Sequence, residues 1–411
     1  MKKASIVTIG NEILSGKTVD TNAAYLAVEL QNIGIPVVST YTVSDEIRVI
    51  VRALILAGDD SDVIIATGGL GPTDDDLTRQ AFAEFLGVEL QLQNDLLENI
   101  QERFAQRNIE MPEKNKIQAY IPAGAKALKN VGTAPGIMAE HKGKLFVALP
   151  GVPMEMEQMY EESVQPELKE FAGGQAVVVR RLRCFGAGES TITEMLDDMM
   201  QRGRNPLVNC TASEGIITLH IIATSDDQDK AEKMAGKDEK LLRDILGELI
   251  YGIGEQTLAE VVGEELARQN KTIAVAESCT GGWLAKLITD VPGASKYFTY
   301  GWISYSNDAK ISELGVPAGL IEKHGAVSEQ VAEAMARGAR RKAGTDFAIG
   351  ITGIAGPTGG TELKPIGLVY ISLDSISGCE TKRCLFINKR HFTRLRAAQT
   401  ALNMLRLKLN I

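Results

Sequence analysis

Short apolar runs that alternate with helical patterns constrain the fold of this chain more than any other feature. In the first 168 residues, the runs typical of buried strands lie at 4–10, 34–43, 62–69 and 144–151. Helical patterns at 22–34 and 76–87 both end on glycine, as many helices do. Such alternation predicts a layered α/β sheet with parallel strands.

The same alternation resumes in the last third of the chain. Strand-like runs lie at 271–276, 297–306, 346–353, 366–374 and 381–387. A final helix is predicted from about Phe392. Between the two alternating regions, strand-like runs accompany a charged helical segment at 228–249, which is typical of a small α+β domain.

A chain of 411 residues exceeds one ordinary core, so we expect several domains. The predicted fold class is α/β, with two layered α/β domains joined by a small α+β domain. The predicted domain bounds are 1–168, 175–252 and 257–411, with EFAGGQ at 170–175 as a linker.

The net charge of −9 at pH 7 argues against two classes of partner. Duplex nucleic acid and anionic membranes both favour a basic surface, so we expect neither as the main partner. Five cysteines without a CxxC pair are typical of reduced thiols in a cytosolic protein. Polar residues interrupt the first apolar run too early for a signal peptide, and no run approaches the ~18 apolar residues of a membrane span. We therefore expect a cytoplasmic location.

The segment Ala276–Gly282, AESCTGG, joins a strand-like run to a helical one and carries several potential nucleophiles. A nucleophile at such a turn lies near the free N–H groups of the helix start, which suit an oxyanion or a phosphate. Gly281 and Gly282 would let a substrate approach the backbone closely. The turn is not the GxSxG elbow of the α/β-hydrolases.

Histidine is a poor candidate for the base that would activate this turn. Of four histidines, only His324 has loop-like neighbours, so a Ser–His–Asp triad is poorly supported. The segment YSNDAK instead supplies Tyr305 and Lys310 just beyond the next predicted strand. A lysine acts as a base only when burial or neighbours lower its pKa. A shift from ~10.4 to ~7 requires roughly 4–5 kcal/mol of differential stabilisation of the neutral form.

Each of these residues also has a purely structural interpretation. Ser278 or Thr280 could simply cap the helix that follows. Lys310 could lie on an exposed helix face, and Tyr305 could be a core residue with its hydroxyl at the rim. Cys279 could be a small buried residue or a thiol nucleophile, and its position alone does not decide between the two.

A second glycine cluster, GITGIAGPTGG at 350–360, follows another strand-like run. Such loops bring backbone N–H groups against phosphate or carboxamide oxygens, although they also occur as simple turns. Ligands of parallel sheets collect at the carboxyl ends of the strands, where this loop and the serine turn would meet. Arg390 and Arg394 follow the last strand-like run, and an arginine there could bind a phosphate with two hydrogen bonds.

The C-terminal domain of the CinA family resembles residues 257–411 in six segments, taken in order: AESCTGG, YSNDAK, HGAVSE, GITGIAGPTGG, KPIGLV and NKRHFTR. Members of that domain family are nicotinamide mononucleotide amidohydrolases. The resemblance implies that Ser278 is the nucleophile and that Lys310 and Tyr305 handle protons. The substrate-binding set that we expect is Gly281, Gly282, Thr352, Gly353, Ala355 and Arg390, with Arg390 at the phosphate. No metal or organic cofactor is implied.

The segment TGGLGPTDDDLT at 67–78 combines a glycine loop with three carboxylates at the start of a predicted helix. Glycines and N–H groups suit a phosphate, whereas Asp74, Asp75 and Asp76 would repel one unless a cation lies between. This combination is typical of a metal–diphosphate site. The structural alternative is an ordinary helix start, where aspartate is favoured.

Together with GNEILSGKTVDTN, IPAGA, GTAPG and LPGVPMEM, this segment resembles the molybdopterin-binding-like domain that opens CinA proteins. The resemblance implies a MogA/MoaB-like fold and a metal-dependent ADP-ribose pyrophosphatase that yields AMP and ribose 5-phosphate. It assigns a divalent metal to Asp75 and Asp76. The ADP-ribose-binding residues that we expect are Gly68, Gly69, Gly71 and Thr73. The same scaffold binds molybdopterin elsewhere, so the fold alone does not fix the ligand.

The middle segment resembles the KH-type module of CinA proteins at GAGES and RNPLVN. It has no GxxG clamp and its charged helix is mixed, so we expect a role in spacing or in forming a homodimer rather than RNA binding. The leading hypothesis is a bifunctional pyridine-nucleotide salvage enzyme that acts on nicotinamide mononucleotide and ADP-ribose. The alternatives are a front domain that binds a nucleotide or molybdopterin without turnover, and a competence-associated protein without either activity.

Overall fold

A computed structural model describes residues 2–129, 132–171, 173, 176–386 and 389–411 of the chain. The chain divides into two compact units, one with residues 1–178 and 223–233 and the other with residues 179–222 and 234–411. The predicted linker at 170–175 falls partly outside the described residues, since 172, 174 and 175 are not described. Ile387 and Asn388, at the junction of the last predicted strand and the arginine segment, also lie outside them.

The N-terminal region builds one six-stranded sheet. In chain order its elements are β1 (Ala4–Ile9), α1 (Asn11–Leu14), α2 (Thr21–Asn32), β2 (Val37–Val43), α3 (Ile47–Asp60), β3 (Val63–Thr67), α4 (Thr78–Leu86), β4 (Leu90–Leu92), α5 (Asn94–Gln106), β5 (Tyr120–Pro122), β6 (Lys126–Leu128), β7 (Gly136–His141), β8 (Lys144–Leu149), α6 (Pro153–Met159) and α7 (Gln165–Phe171). The strand order is β2-β1-β3-β8-β7-β6, and β4 pairs with β5 separately.

The four predicted strands, which are β1, β2, β3 and β8, are parallel as expected. The sheet also contains β7 and β6, which were not predicted as strands, and β7 runs antiparallel to both β8 and β6. The reason lies in the connection between β7 and β8. Only Lys142 and Gly143 join the two strands, and both have positive φ values of 52° and 72°. A two-residue turn of this kind makes a hairpin, whereas a parallel neighbour needs a crossover of a dozen or more residues.

Alternate residues of the central strands face opposite helical layers. On β1, Ile6 packs with Leu26 and Leu30 of α2 on one face. Val7 packs with Leu54 of α3 on the other face. Because β1 and β3 are parallel neighbours, the segments that follow them meet at one edge of the sheet.

A four-stranded sheet of order β10-β11-β9-β12 forms the middle region, as the α+β prediction requires. Its elements are β9 (Ala176–Cys184), α8 (Glu189–Leu196), β10 (Leu207–Ser213), β11 (Ile216–Ser225), α9 (Gln228–Leu246) and β12 (Ile250–Ile253). Glu214 and Gly215 form the turn between β10 and β11, with φ values of 49° and 80°.

The C-terminal region forms a five-stranded sheet of order β14-β13-β15-β16-β17. Its elements are α10 (Leu258–Arg268), β13 (Ile273–Glu277), α11 (Trp283–Thr289), β14 (Phe298–Ile303), α12 (Asn307–Leu314), α13 (Ala318–His324), α14 (Glu329–Ala343), β15 (Phe347–Gly353), β16 (Leu368–Ser375), β17 (Gly378–Leu385) and α15 (Arg390–Lys408). The two layered domains and the small middle domain confirm the predicted fold class.

In this sheet β13 pairs in parallel with β14 and β15, whereas β16 runs antiparallel to its neighbours β15 and β17. The prediction of a parallel sheet is therefore wrong for β16, which follows β15 and precedes β17 through a hairpin. Since β17 again runs in the direction of β15, its carboxyl end lies at the same edge as those of β13 and β15. The last helix begins at Arg390, two residues before the predicted start, so Arg390 and Arg394 both lie in its first two turns.

None of the helices among the described residues is long and apolar enough to cross a lipid bilayer.

Helix α14 packs directly on β15 because the strand presents a glycine there. A Cβ atom on Gly350 would lie 2.4 Å from the carbonyl oxygen of Ala332 and 2.7 Å from the backbone nitrogen of Ala336. No side chain fits at those distances unless the helix moves away. The close approach of α14 therefore depends on this residue.

The substitution Gly350→Ala should destabilise the C-terminal domain by about 1–3 kcal/mol, because it overpacks a contact between two backbones. Gly319→Ala is the matched control, since a Cβ on that helical glycine meets no atom within 4 Å. Thermal unfolding followed by circular dichroism should show a lower midpoint for Gly350→Ala alone. Equal midpoints for the two variants would contradict this packing.

Candidate active sites at two sheet edges

The serine turn follows β13 directly and precedes α11. Ser278 is 8% exposed and comes immediately after the last residue of the strand. Gly281 and Gly282 adopt φ values of 58° and 90°, a region that other residues rarely occupy. The backbone of the turn therefore requires glycine at these two positions, where substrate contacts were predicted.

Lys310 lies against the serine hydroxyl inside the domain. Its Nζ is 3.0 Å from Ser278 Oγ, 2.7 Å from the carbonyl oxygen of Ser304 and 3.4 Å from that of Tyr305. The residue is only 1% exposed, so the interpretation of Lys310 as an exposed helix residue is wrong. Sequence patterns around 307–314 could not show this, because α12 has few apolar residues to mark its buried face.

Burial lowers the pKa of Lys310 below its ordinary value of 10.5. None of the described carboxylates lies close enough to form an ion pair that would oppose this shift. A neutral amine has two N–H donors and one lone pair. The two backbone carbonyls can accept the donors, which leaves the lone pair for the serine hydroxyl. The arrangement is therefore chemically suited to proton transfer from Ser278.

Cys279 is buried, and burial raises the pKa of its thiol to about 12. It is therefore protonated at neutral pH, and a protonated thiol is a poor nucleophile. Neither Ser278 nor Thr280 is the N-cap of α11. That position is held by Gly282, which has no side chain to form a cap hydrogen bond. The hydroxyl of Thr280 is buried without a partner among the described residues.

Glu277 takes the position that a cap would hold, and the sequence analysis missed it. Its buried carboxylate accepts hydrogen bonds from the N–H groups of Gly282 (3.0 Å), Leu284 (3.1 Å) and Ala285 (2.8 Å). The signal was a glutamate between a strand and a helix start, where negative charge is favoured. These donors are consequently unavailable to an oxyanion.

The N–H groups of Cys279 and Thr280 remain as candidate oxyanion donors. Neither donates to a backbone carbonyl or a carboxylate among the described residues. Of the backbone N–H groups of the serine turn that were expected to hold an oxyanion, these two are therefore the candidates.

Tyr305 and Arg390 are both exposed and form a hydrogen bond with each other. The Tyr305 hydroxyl forms no hydrogen bond with Lys310. Tyr305 is 61% exposed, and its hydroxyl accepts a hydrogen bond from Arg390 Nη2 at 3.3 Å. Arg390 Nη1 also donates to the carbonyl oxygen of Gly356 at 2.8 Å. The structure thus brings the predicted phosphate ligand to the glycine loop, but it leaves the Tyr305 hydroxyl without a hydrogen bond to Lys310, which contacts only the Tyr305 carbonyl oxygen.

Three of the predicted substrate-binding residues contact other residues of the C-terminal domain. The hydroxyl of Thr352 donates to the carbonyl oxygen of Ala326 at 2.8 Å. Gly353 packs against β16, since a Cβ there would lie 2.7 Å from the carbonyl oxygen of Leu368. Ala355 is buried in the main C-terminal core.

Arg394 supports the serine turn rather than an open ligand position. Its Nε and Nη2 donate to the carbonyl oxygen of Thr280 at 3.1 and 2.6 Å. Its guanidinium carbon also lies 5.0 Å from the centre of the Trp283 ring. The early start of α15 explains this placement, because Arg394 projects from the helix and not from a strand end.

In the N-terminal domain, a cavity of about 370 Å³ lies at the edge of the sheet where β1 and β3 end. Its lining includes the predicted residues Gly68, Gly69, Gly71, Thr73, Asp75 and Asp76. The sequence analysis missed Glu12 and Asp45, which line it as well. Gly68 and Gly69 have φ values of 106° and 65°, so the loop after β3 depends on glycine.

The acidic pair of this cavity is held by one threonine. Thr73 Oγ1 donates to Asp75 Oδ1 and to Asp76 Oδ2, and the backbone N–H of Thr73 donates to Asp76 Oδ2 at 2.8 Å. Hydrogen bonds lower the pKa of Asp75, the largest contribution coming from Thr73, so this carboxylate is ionised at neutral pH.

The predicted divalent metal fits these residues only in part. Carboxylate oxygens are the ligands that Mg²⁺ prefers, and both aspartates keep one oxygen outside the Thr73 bonds. Among the described residues, however, no group of three or more His, Cys, Asp and Glu side chains could hold a metal ion. The donor set therefore suits a cation that shares its ligands with a diphosphate, as Mg²⁺ commonly does.

Family sequence models divide the chain into the same three parts. The model described as a probable molybdopterin binding domain matches residues 5–170. The damage-inducible protein CinA KH domain matches 179–252, and the CinA C-terminal domain matches 255–409. These matches define a chain with a molybdopterin-binding-like domain, a KH-type domain and a CinA C-terminal domain.

Curated relatives match over nearly the full length. A putative competence-damage inducible protein of Caldicellulosiruptor bescii is 42% identical, with 99% of both chains covered. A CinA-like protein of Kosmotoga olearia is 43% identical, with 98% of both covered. The solved competence/damage inducible protein CihA of Agrobacterium tumefaciens is 37% identical over 38% of this chain and 94% of that one, with a TM-score of 0.36. The chain belongs to the CinA family.

The burial of Lys310 predicts a specific dependence of stability on pH. Its pKa is lower in the folded than in the unfolded chain, so the unfolded chain binds more protons between the two values. Stability should therefore rise with pH from the folded pKa up to about 10.5. Lys310→Met should lack this rise, whereas Lys323→Met, on an exposed lysine, should keep it.

Unfolding midpoints measured from pH 6 to 10 test this, with the difference between wild type and each variant as the readout. A constant difference between wild type and Lys310→Met would mean that the folded pKa of Lys310 is not lowered.

Proposed function

We propose that the C-terminal domain hydrolyses the carboxamide of nicotinamide mononucleotide to nicotinate mononucleotide and ammonia. The observation that carries the proposal is the 3.0 Å contact between buried Lys310 Nζ and Ser278 Oγ. A serine–lysine pair of this kind is a known alternative to the serine–histidine pair in acyl transfer. The resemblance to amidohydrolases of the CinA family supplies the substrate class.

In the first step, the Ser278 hydroxyl transfers its proton to the lone pair of Lys310 while Oγ bonds to the carboxamide carbon. The N–H groups of Cys279 and Thr280 stabilise the oxyanion that forms. One such donor contributes about 10²–10³ to the rate. The pyridinium charge of the substrate withdraws electrons and makes this carbon more electrophilic.

In the second step, the carbon–nitrogen bond breaks and the leaving nitrogen takes the proton from the Lys310 ammonium, so ammonia departs. A nicotinoyl ester on Ser278 remains. Water then attacks this ester, with Lys310 accepting a proton from the water and returning it to Ser278 Oγ. The lysine thus carries one proton in each half of the reaction, and no cofactor takes part.

Arg390 is the proposed ligand of the substrate phosphate. Its exposed guanidinium bridges the carbonyl of Gly356 in the glycine loop and the hydroxyl of Tyr305, whose own carbonyl oxygen contacts Lys310. We assign Tyr305 to substrate positioning through Arg390, because its hydroxyl has no bond to Lys310 in the structure. Its share in proton handling would then be indirect.

We further propose that the N-terminal domain cleaves ADP-ribose to AMP and ribose 5-phosphate. The glycine loop would hold the diphosphate, and Asp75 and Asp76 would share a divalent cation with it. Such a cation supplies charge neutralisation and polarises the phosphorus–oxygen bonds. The support is the cavity in which glycine-loop and carboxylate residues meet.

The substitution Ser278→Ala should lower the rate of ammonia release from nicotinamide mononucleotide by at least about a thousandfold, because it removes the attacking oxygen. Cys279→Ala, one residue away, should keep most of the rate, since the buried thiol stays protonated. A coupled assay for ammonia measures both. The reverse pattern would assign the nucleophile to the cysteine.

Release of AMP from ADP-ribose should require a divalent cation and should stop when a chelator is added. Asp75→Asn and Asp76→Asn should each lower the rate by about a hundredfold, since each removes several kcal/mol of metal interaction. Asp74→Asn is the matched control, because Asp74 does not line this cavity. Tight binding of ADP-ribose without AMP release would favour the alternative of a binding domain without turnover.

A further inference from the structure

Arg79, the second residue of α4, is a buried arginine that the proposed reaction does not yet use. It is 0% exposed. Its Nη1 and Nη2 both lie 3.3 Å from the carbonyl oxygen of Gly71, and Nη2 also donates to that of Leu70. Within the described parts of the chain, its Nε has no hydrogen-bond partner and no carboxylate forms an ion pair with it. A buried cation without a counter-charge is costly, so this arrangement requires an explanation.

The first turn of α4 binds four consecutive carbonyl groups of the glycine loop. Thr78 Oγ1 donates to Gly68 at 2.7 Å, and the backbone N–H of Thr78 donates to Gly69 at 3.1 Å. Arg79 holds the next two, on Leu70 and Gly71. The whole loop thus turns its carbonyl oxygens towards the helix.

The planarity of the peptide bond fixes where the opposite groups point. In a trans peptide, a carbonyl and the N–H of the following residue point in opposite directions. The N–H groups of Gly69, Leu70 and Gly71 therefore point away from α4. All three belong to residues that line the cavity, and none has an acceptor within the described parts of the chain. Three unpaired donors in a row are suited to an anion.

We propose that Arg79 is a positioning residue for the diphosphate of ADP-ribose, and this rests on the function proposed for the N-terminal domain. Arg79 is not among the residues that line the cavity, so it acts through the loop. Its hydrogen bonds orient the peptide groups, and its charge is balanced when the anion binds to their other side.

The charge of Arg79 persists at neutral pH. Burial lowers its pKa to about 10, so the guanidinium is still protonated. In a buried environment its field is screened less than in water, which strengthens its attraction for an anion across one peptide layer. The carboxylate of Asp76 raises the pKa of Arg79 through its charge, but it accepts its hydrogen bonds from Thr73 and not from Arg79.

The test compares three variants of the full chain: Arg79→Lys, Arg79→Gln and Arg107→Gln. The last removes the same charge from an exposed position of the same domain. Calorimetry with magnesium pyrophosphate gives the dissociation constant, and AMP release from ADP-ribose gives KM and kcat. The unfolding midpoint reports whether each variant is folded, and deamidation of nicotinamide mononucleotide reports whether the C-terminal domain is unaffected.

Arg79→Gln should weaken pyrophosphate binding by about tenfold or more and raise KM for ADP-ribose similarly. Arg79→Lys should recover part of the loss, because it keeps the charge but not the forked donors. Arg107→Gln should match the wild type. The inference is overturned if Arg79→Gln binds within about twofold of the wild type, or if both Arg79 variants lose affinity equally with the same drop in midpoint.

The two proposals fail in different ways. If the wild-type chain binds pyrophosphate but releases no AMP, the proposed pyrophosphatase function is contradicted. The pyrophosphate affinities of the variants still test the role of Arg79. A wild-type chain that releases AMP but does not bind pyrophosphate overturns the role of Arg79 alone. A chain that does neither overturns both.

Discussion

The contact between Lys310 and Ser278 depends on the removal of water from a lysine side chain. An exposed ammonium keeps its proton far above neutral pH, whereas Lys310 is a buried residue of α12 with two backbone carbonyls and one hydroxyl as neighbours. Burial without a carboxylate is what lowers its pKa. A nearby acid would stabilise the ammonium and remove the lone pair. The absence of such a partner among the described residues is therefore part of the proposed chemistry.

The surrounding turn is arranged to keep the serine in place without using it as a cap. Glu277 binds the first N–H groups of α11, and Arg394 holds the carbonyl of Thr280 from the other side. The hydroxyl of Ser278 consequently does not cap α11, and its hydrogen-bond partner is Lys310. The same division of labour occurs at the N-terminal site, where Thr78 and Arg79 bind the carbonyl groups of the glycine loop. In both domains a buried basic side chain, Lys310 or Arg79, lies next to a loop at a sheet edge and has no carboxylate partner among the described residues.

Much of the fold follows from local sequence patterns. Buried strands such as β3 and β13 have continuous apolar runs, and the glycines at 281 and 282 mark a turn that only glycine tolerates readily. The patterns did not predict β7 as a strand and did not give the direction of β16, because two-residue connections such as 142–143 and 376–377 are not visible in a pattern of alternating strands and helices. The family resemblance named the correct family, but it could not place side chains.

The details of the sites depend on contacts between distant segments, which a single sequence does not reveal. Lys310 and Ser278 are 32 positions apart, and nothing in the pattern of α12 shows that its lysine is buried. Glu277 and Arg79 were passed over because each is an ordinary polar residue next to a helix start. Tyr305 was expected at the base and instead contacts Arg390, since its side chain turns to the open side while its carbonyl faces Lys310.

The ionisation of Lys310 is the most direct measure of the account. Nuclear magnetic resonance of the protein labelled at lysine Nζ, with the signal assigned by its loss in Lys310→Met, can follow the proton through a pH titration. A buried Lys310 should titrate with a midpoint clearly below the ordinary value of 10.5, and this midpoint should shift upward when Ser278 is replaced by aspartate. A midpoint at or above 10.5 in the wild-type chain would contradict a neutral amine as the base.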